Sequence, residues 1–226
     1  MNSGIRETRK GVVMTKTMFG KFPVVALLVI LVAVLATPVS AGGGGISLKG
    51  QAGRFNTTTF QAYGNSTDAQ ASWTNKVALD GQFSMFLEKT TNDQFAFAAA
   101  VVDGVNGQTV ASLNDLAFSF TGDCNGGSPR FNLFYDSNGD GVTDGVAFLG
   151  CNNVTLTAAG APGWQTATFP SALVAAGGVS GACPAPCTIS GTSTVTSLSV
   201  LIDIVGSNNI DRVTVAGVAT GEPNGS

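Results

Sequence analysis

Residues 136–145 read DSNGDGVTDG. Asp136, Asn138 and Asp140 offer side-chain oxygens at every second position, and Val142 adds a backbone carbonyl in the same rhythm. Asp144 follows with a carboxylate, used directly or through a water. Calcium takes roughly six to eight oxygens at flexible angles, which donors at the first, third, fifth, seventh and ninth loop positions supply. Gly141, at the sixth, permits the sharp turn that this spacing demands. Without a cation, carboxylates at such close range repel one another. The predicted chemistry is therefore coordination of a structural Ca2+, which orders a loop whose fixing otherwise costs conformational entropy. The alternative is a polar turn, because Asn, Asp and Gly are also what turns are made of.

An EF-hand requires a glutamate at the twelfth position; here that residue is Ala147, and strands flank the loop. The stretch resembles instead the D-x-[DN]-x-D-G-x-x-D loops of dockerins, thrombospondin type 3 repeats and other calcium-bound extracellular modules. The missing glutamate implies a weak site, in the range of about tens of micromolar to millimolar.

Histidine is absent from all 226 residues. That excludes Ser-His-Asp and Cys-His nucleophiles and histidine-ligated metal centres. A carboxylate pair for glycoside hydrolysis needs only two correctly separated acids, and Glu88 with an aspartate would serve. Nothing in the sequence singles out such a pair, so an enzyme is not expected.

Four cysteines, Cys124, Cys151, Cys183 and Cys187, allow three disulfide pairings. Zinc spacing is missing. Cys124 precedes the strand before the acidic loop and Cys151 closes the strand after it. In an antiparallel hairpin those ends are neighbours, which predicts Cys124–Cys151. Cys183 and Cys187 flank Pro-Ala-Pro, and a turn there closes a small ring.

Two disulfides fit export, and the N-terminus supplies the means. Arg6, Arg9, Lys10, Lys16 and Lys21 precede the uncharged run FPVVALLVILVAVLA, and small residues Val39 and Ala41 form a cleavage site. This is the pattern of a helical signal peptide over residues 1–41, too short to span a bilayer. The domain plan is then a glycine linker at 42–45, one domain over 46–220 and a disordered tail at 221–226. Cleavage removes five of the 11 basic residues and Glu7 of the 14 acidic ones, leaving a net charge of −7. An acidic surface argues against nucleic acid and anionic lipid as partners, so no membrane association is expected after cleavage.

Beyond Ile46 apolar residues alternate with period two. Phe83, Met85 and Leu87 share one face, as do Leu116, Phe118 and Phe120. The same holds for Phe131, Leu133 and Tyr135, for Leu198, Val200, Ile202 and Ile204, and for Val213 and Val215. FAFAAAVV from Phe95 is apolar on both faces and reads as a central strand. About nine to eleven short strands with glycine-rich punctuation and no crossover helix predict an all-β fold, an antiparallel, jelly-roll-like β-sandwich. PSALVAAGGV, from Pro170, forms at most one helical turn.

The closing stretch LIDIV…NNIDRVTVAG resembles the last strands of jelly-roll modules, including many carbohydrate-binding modules. In those modules an aspartate at the place of Asp211 ligates a structural calcium, which implies a second metal position. Otherwise Asp203 and Asp211 are outward-facing carboxylates. Trp73, Tyr63, Tyr135 and Trp164 are the candidate sugar-stacking aromatics, with Trp164 the most exposed after its Pro-Gly turn. Asn56, Asn65 and Asn153 stand in N-x-S/T sequons, which matter only in a glycosylating host. The expected function is a secreted, calcium-stabilised module that binds an extracellular polysaccharide or surface glycan. The alternative is a self-associating cell-envelope protein with long unpaired strand edges.

Overall fold

The computed structural model describes residues 45–56 and 59–221. The leader and its cleavage site, the linker before Gly45 and the tail from residue 222 lie outside the described residues.

The first half of the chain forms β1 (Ser47–Phe55), β2 (Ala62–Tyr63), β3 (Ala69–Thr74), β4 (Ser84–Lys89), β5 (Ala96–Asp103) and β6 (Leu116–Thr121). The second forms β7 (Arg130–Asp136), β8 (Gly145–Gly150), β9 (Thr157–Ala158), β10 (Trp164–Phe169), β11 (Thr194–Ile202), β12 (Gly206–Val215) and β13 (Val218–Thr220). A short α-helix, α1 (Ser171–Ala175), begins after Pro170, whose fixed φ suits a helix start. The strands outnumber the expected nine to eleven because β2, β9 and β13 are only two or three residues long. So short a segment leaves no periodic trace in a sequence.

All pairings between these strands are antiparallel. One sheet has the order β2-β1-β5-β11-β7-β8; the other runs β3-β4-β12-β6-β10-β9, with β13 folded back onto β12. The chain changes sheet repeatedly, from β4 to β5, β5 to β6 and β6 to β7, which is jelly-roll-like connectivity. β5 is central, as its two-faced apolar pattern predicts.

The alternation places the core between the sheets. Leu116, Phe118 and Phe120 of β6, Phe131, Leu133 and Tyr135 of β7, and Leu198, Val200 and Ile202 of β11 are each at most 1% exposed. Phe118 meets Phe131 edge-on with centroids 5.1 Å apart, and Phe169 joins them at 5.8 Å from Phe118. Burying each such ring contributes about 1.5–3 kcal/mol. Ile204 leaves this pattern, because β11 ends at Ile202 and the chain turns.

β12 changes its inward parity halfway along. Asn208 and Ile210 point in, and after a register shift between Asp211 and Thr214 so do Val213 and Val215. Arg212 takes up the extra residue at φ +45°, and the bulge turns Asp211 into the molecule.

Candidate functional site

The acidic loop connects β7 to β8 at the hairpin tip. Asp136, 3% exposed, accepts backbone N–H groups of Asn138 and Gly139 on Oδ1 at 3.0 and 2.7 Å, and of Gly141 on Oδ2 at 2.8 Å. Those amides, Gly141 first, hold its carboxyl below the usual range against the opposing effect of desolvation. Asn138 Oδ1 accepts the Asp140 amide at 2.9 Å, and Asp140 Oδ1 that of Val142 at 2.8 Å. Asp144 accepts the Ser137 hydroxyl and its amide, which depress its pKa. The glycines supply the backbone these bonds require, with φ +82° at Gly139 and +83° at Gly141. The acidic oxygens are therefore turned onto the loop's own donors. Among the described residues no three acidic side chains converge in a metal-holding group.

Both disulfides pair as the spacing predicts. Cys124–Cys151 joins the open ends of the hairpin with Cα atoms 5.9 Å apart, and Cys183–Cys187 closes its ring at 5.5 Å. The ring docks on the hairpin, where the Thr188 amide donates to the Tyr135 hydroxyl at 3.3 Å and Thr188 Oγ1 donates to Ser137.

Asp211 is not an outward-facing carboxylate; the bulge leaves it fully buried. Its Oδ2 accepts the Leu79 and Asp80 amides at 2.8 and 3.1 Å, and its Oδ1 that of Arg212 at 2.7 Å. Burial pushes this carboxyl up despite the three amides, and the Asp80 carboxylate adds to the rise. Thr220, 4% exposed, lines the same small cavity, and its Oγ1 has no hydrogen-bond partner. A Cβ at Gly221 would come within 1.9 Å of Asp211 Oδ1. A buried carboxylate, an orphaned hydroxyl oxygen and a glycine-lined cradle fit a hard cation. At the mouth, Arg212 Nε pairs with Asp80 at 3.2 Å. Asp203 lies in the turn after β11, where the Arg130 guanidinium holds it through two 2.7 Å bonds.

The outer face of the six-stranded sheet carries a groove. Residues opposite one another in an antiparallel pair project from the same face, so the register gives the neighbours. Gln51, Ala99, Leu201 and Arg130 lie abreast in one row. Val101, Ser199, Asn132 and Phe148 form the next, and Ser197 and Phe134 stand beyond it. Phe60, from the turn after β1, packs against Phe55 at 6.0 Å and edge-on against Phe148 at 5.1 Å. Arg130 lies over Phe148 at 4.9 Å while its Nε donates to Asn132 Oδ1 at 2.9 Å, which fixes that amide. The resulting cleft of about 220 Å3 is lined by Phe60, Phe97, Phe134, Gln51, Asn132 and Ser199 among others, and no lining residue among those described is charged.

The sequence-predicted aromatics do not gather here. Trp164 is 4% exposed, which corrects the expectation that its turn lifts it into solvent. It starts β10 between β6 and β9, opposite Thr121, with its carbonyl bound to the Ala159 amide. Tyr135 is likewise fully buried, in line with Phe131 and Leu133. Tyr63 is 51% exposed on β2, opposite Arg54. Trp73 sits partly buried on β3, in the other sheet. Glu88 accepts a hydrogen bond from Gln70 on that sheet's outer face. Gln51, Phe60, Asn132 and Phe134 belong to no motif, so the sequence does not single out the groove. One signal is nonetheless present: once Phe131, Leu133 and Tyr135 point inward, Asn132 and Phe134 must share the opposite face.

The fold and groove define an antiparallel β-sandwich module with an uncharged, aromatic-lined surface cleft. No family model matches the chain, and no curated protein matches it. Three solved structures illustrate what it is similar to. A family 30 carbohydrate-binding module of a cellulosomal cellulase of Clostridium thermocellum is 14% identical, covers 74% of this chain and 90% of its own, and gives a TM-score of 0.43. Another structure of a family 30 module is 16% identical over 77% of this chain and 94% of that one, with a TM-score of 0.42. A family 22 xylan-binding domain is 14% identical over 78% and 88%, with a TM-score of 0.32. Each TM-score is below 0.5, so the reading that follows rests on this chain's own residues.

Proposed function

We propose that this chain is an exported binding module that holds a neutral polysaccharide along the outer face of its six-stranded sheet. The chemistry of that face carries the reading. Partly exposed rings of Phe60 and Phe134 stand beside Gln51, Asn132 and Ser199, with no charge among the described lining residues. A pyranose ring presents apolar C–H faces to aromatic carbon and hydroxyls to amides and hydroxyls, so such a mixed cleft suits it. Arg130 is neutralised by Asp203 and serves to orient Asn132 rather than to attract an anion.

Export is supported by the leader pattern and by two disulfides, which persist in oxidising compartments. Calcium is proposed as a structural ion. Asp211 and Thr220 would hold it at the bulge, where the orphaned hydroxyl and the Gly221 cradle support the assignment. In the hairpin loop the donors Asp136, Asn138, Asp140, Asp144 and the Val142 carbonyl have the right chemistry; there, as at Asp211, the carboxylates already accept the chain's own hydrogen bonds, but no orphaned buried oxygen among the described residues adjoins them.

Electrophoresis through gels cast with neutral glucan, xylan or mannan tests the binding reading. The wild-type protein is expected to be retarded in at least one gel, equally at low salt and at about 0.5 M NaCl, because no charge is used. Unretarded migration in all three sinks the reading.

A further inference from the structure

A second cleft, of about 620 Å3, opens on the outer face of the seven-stranded sheet. Its floor is a single row: Phe86 on β4 lies between Ser72 on β3 and Asn209 on β12. Its wall is the connection 75–83, which contributes Lys76, Val77 and Phe83. The wall is pinned in place. Asp211 holds the Leu79 and Asp80 amides, and the Ser84 hydroxyl donates to the Val77 carbonyl. The floor is fixed as well, since Asn209 Nδ2 donates to Thr121 Oγ1 at 3.0 Å.

The size falls within the roughly 300–1,000 Å3 of small-molecule sites. The rings of Phe83 and Phe86 stand among Gln70, Ser72 and Asn209. A wholly apolar ligand would strip water from those amides and the hydroxyl without replacing their hydrogen bonds. Lys76 is the one charged lining residue among those described, too little to hold a polyanion on an acidic molecule. The remaining chemistry is that of an uncharged sugar.

We infer that this cleft is a second glycan site, taking a neutral oligosaccharide segment on the face opposite the first groove, so that one module holds two chains. The inference takes its ligand class from the proposed function, but its residues are separate.

Calorimetric titration of Phe134→Ala, which alters only the first groove, reads the second site alone. Gluco-, xylo- and manno-hexaose serve as probes. At least one is expected to bind Phe134→Ala saturably. That binding is expected to weaken about tenfold or more in Phe134→Ala/Ser72→Arg. Ser72 is exposed, so the arginine fills the cleft without touching the core, and an unchanged unfolding midpoint checks this. Binding that survives Ser72→Arg undiminished overturns the inference. So does its absence in Phe134→Ala when the wild type still binds, and then the first site stands alone. If no probe binds the wild type, the proposed function falls and this inference with it.

Discussion

Two aspartates of this chain sit in opposite electrostatic situations. Asp136 is surrounded by amide donors that favour its charge, whereas Asp211 is pushed up by burial. A carboxyl whose folded pKa is depressed stabilises the fold above its unfolded value and loses that contribution as pH falls through the folded one. The hairpin tip should therefore weaken only in acid, below about pH 4. A carboxyl whose folded pKa is raised stabilises the fold below its unfolded value, a contribution lost as pH rises through the folded one. Ionised Asp211 is then a burden at neutral pH that the proposed cation would relieve. Calorimetric scans with calcium and with chelator should differ more at pH 7 than at pH 5, and Asp211→Asn should remove most of the difference. If Asp144→Asn removes it instead, the ion belongs to the hairpin loop.

At the scale of elements, β7 turns one row of side chains into the core and the other toward the proposed binding groove. Phe131 is fully buried and Phe134 is partly exposed on the groove side. Phe131→Ala should cost about 3–5 kcal/mol in urea unfolding. Phe134→Ala should cost less than about 1 kcal/mol, with its effect on sugar affinity instead. Equal costs would contradict the assignment of the two faces. The Cys124–Cys151 bridge spans 27 positions, and replacing both cysteines with serine should lower stability by about 3 kcal/mol. This hairpin was legible in the sequence, because strict alternation and the cysteine positions leave one register for its inward face. The turn of Asp211 was not, because nothing in NNIDRVTV marks Arg212 for a positive φ. Trp164 departs from its expected exposure because a Pro-Gly turn predicts a bend, not which side of the following strand is covered.

For the whole molecule, the two sheets leave two outer faces, and each carries a mixed aromatic and amide cleft. The sandwich was readable from strand periodicity, but the clefts required knowing which strands lie side by side. Gln51 and Asn132 are far apart in sequence and meet on one surface only because β5 and β11 lie between β1 and β7. The most direct test of the central claim is a calorimetric titration of Ser72→Arg, whose second cleft is blocked, and of Ser72→Arg/Phe134→Ala with the neutral polysaccharide that retards the wild type most. The account predicts saturable binding by Ser72→Arg that is weakened about tenfold or more in the double variant, a loss of about 1.4 kcal/mol, at an unchanged unfolding midpoint. Equal affinity of the two proteins would contradict it.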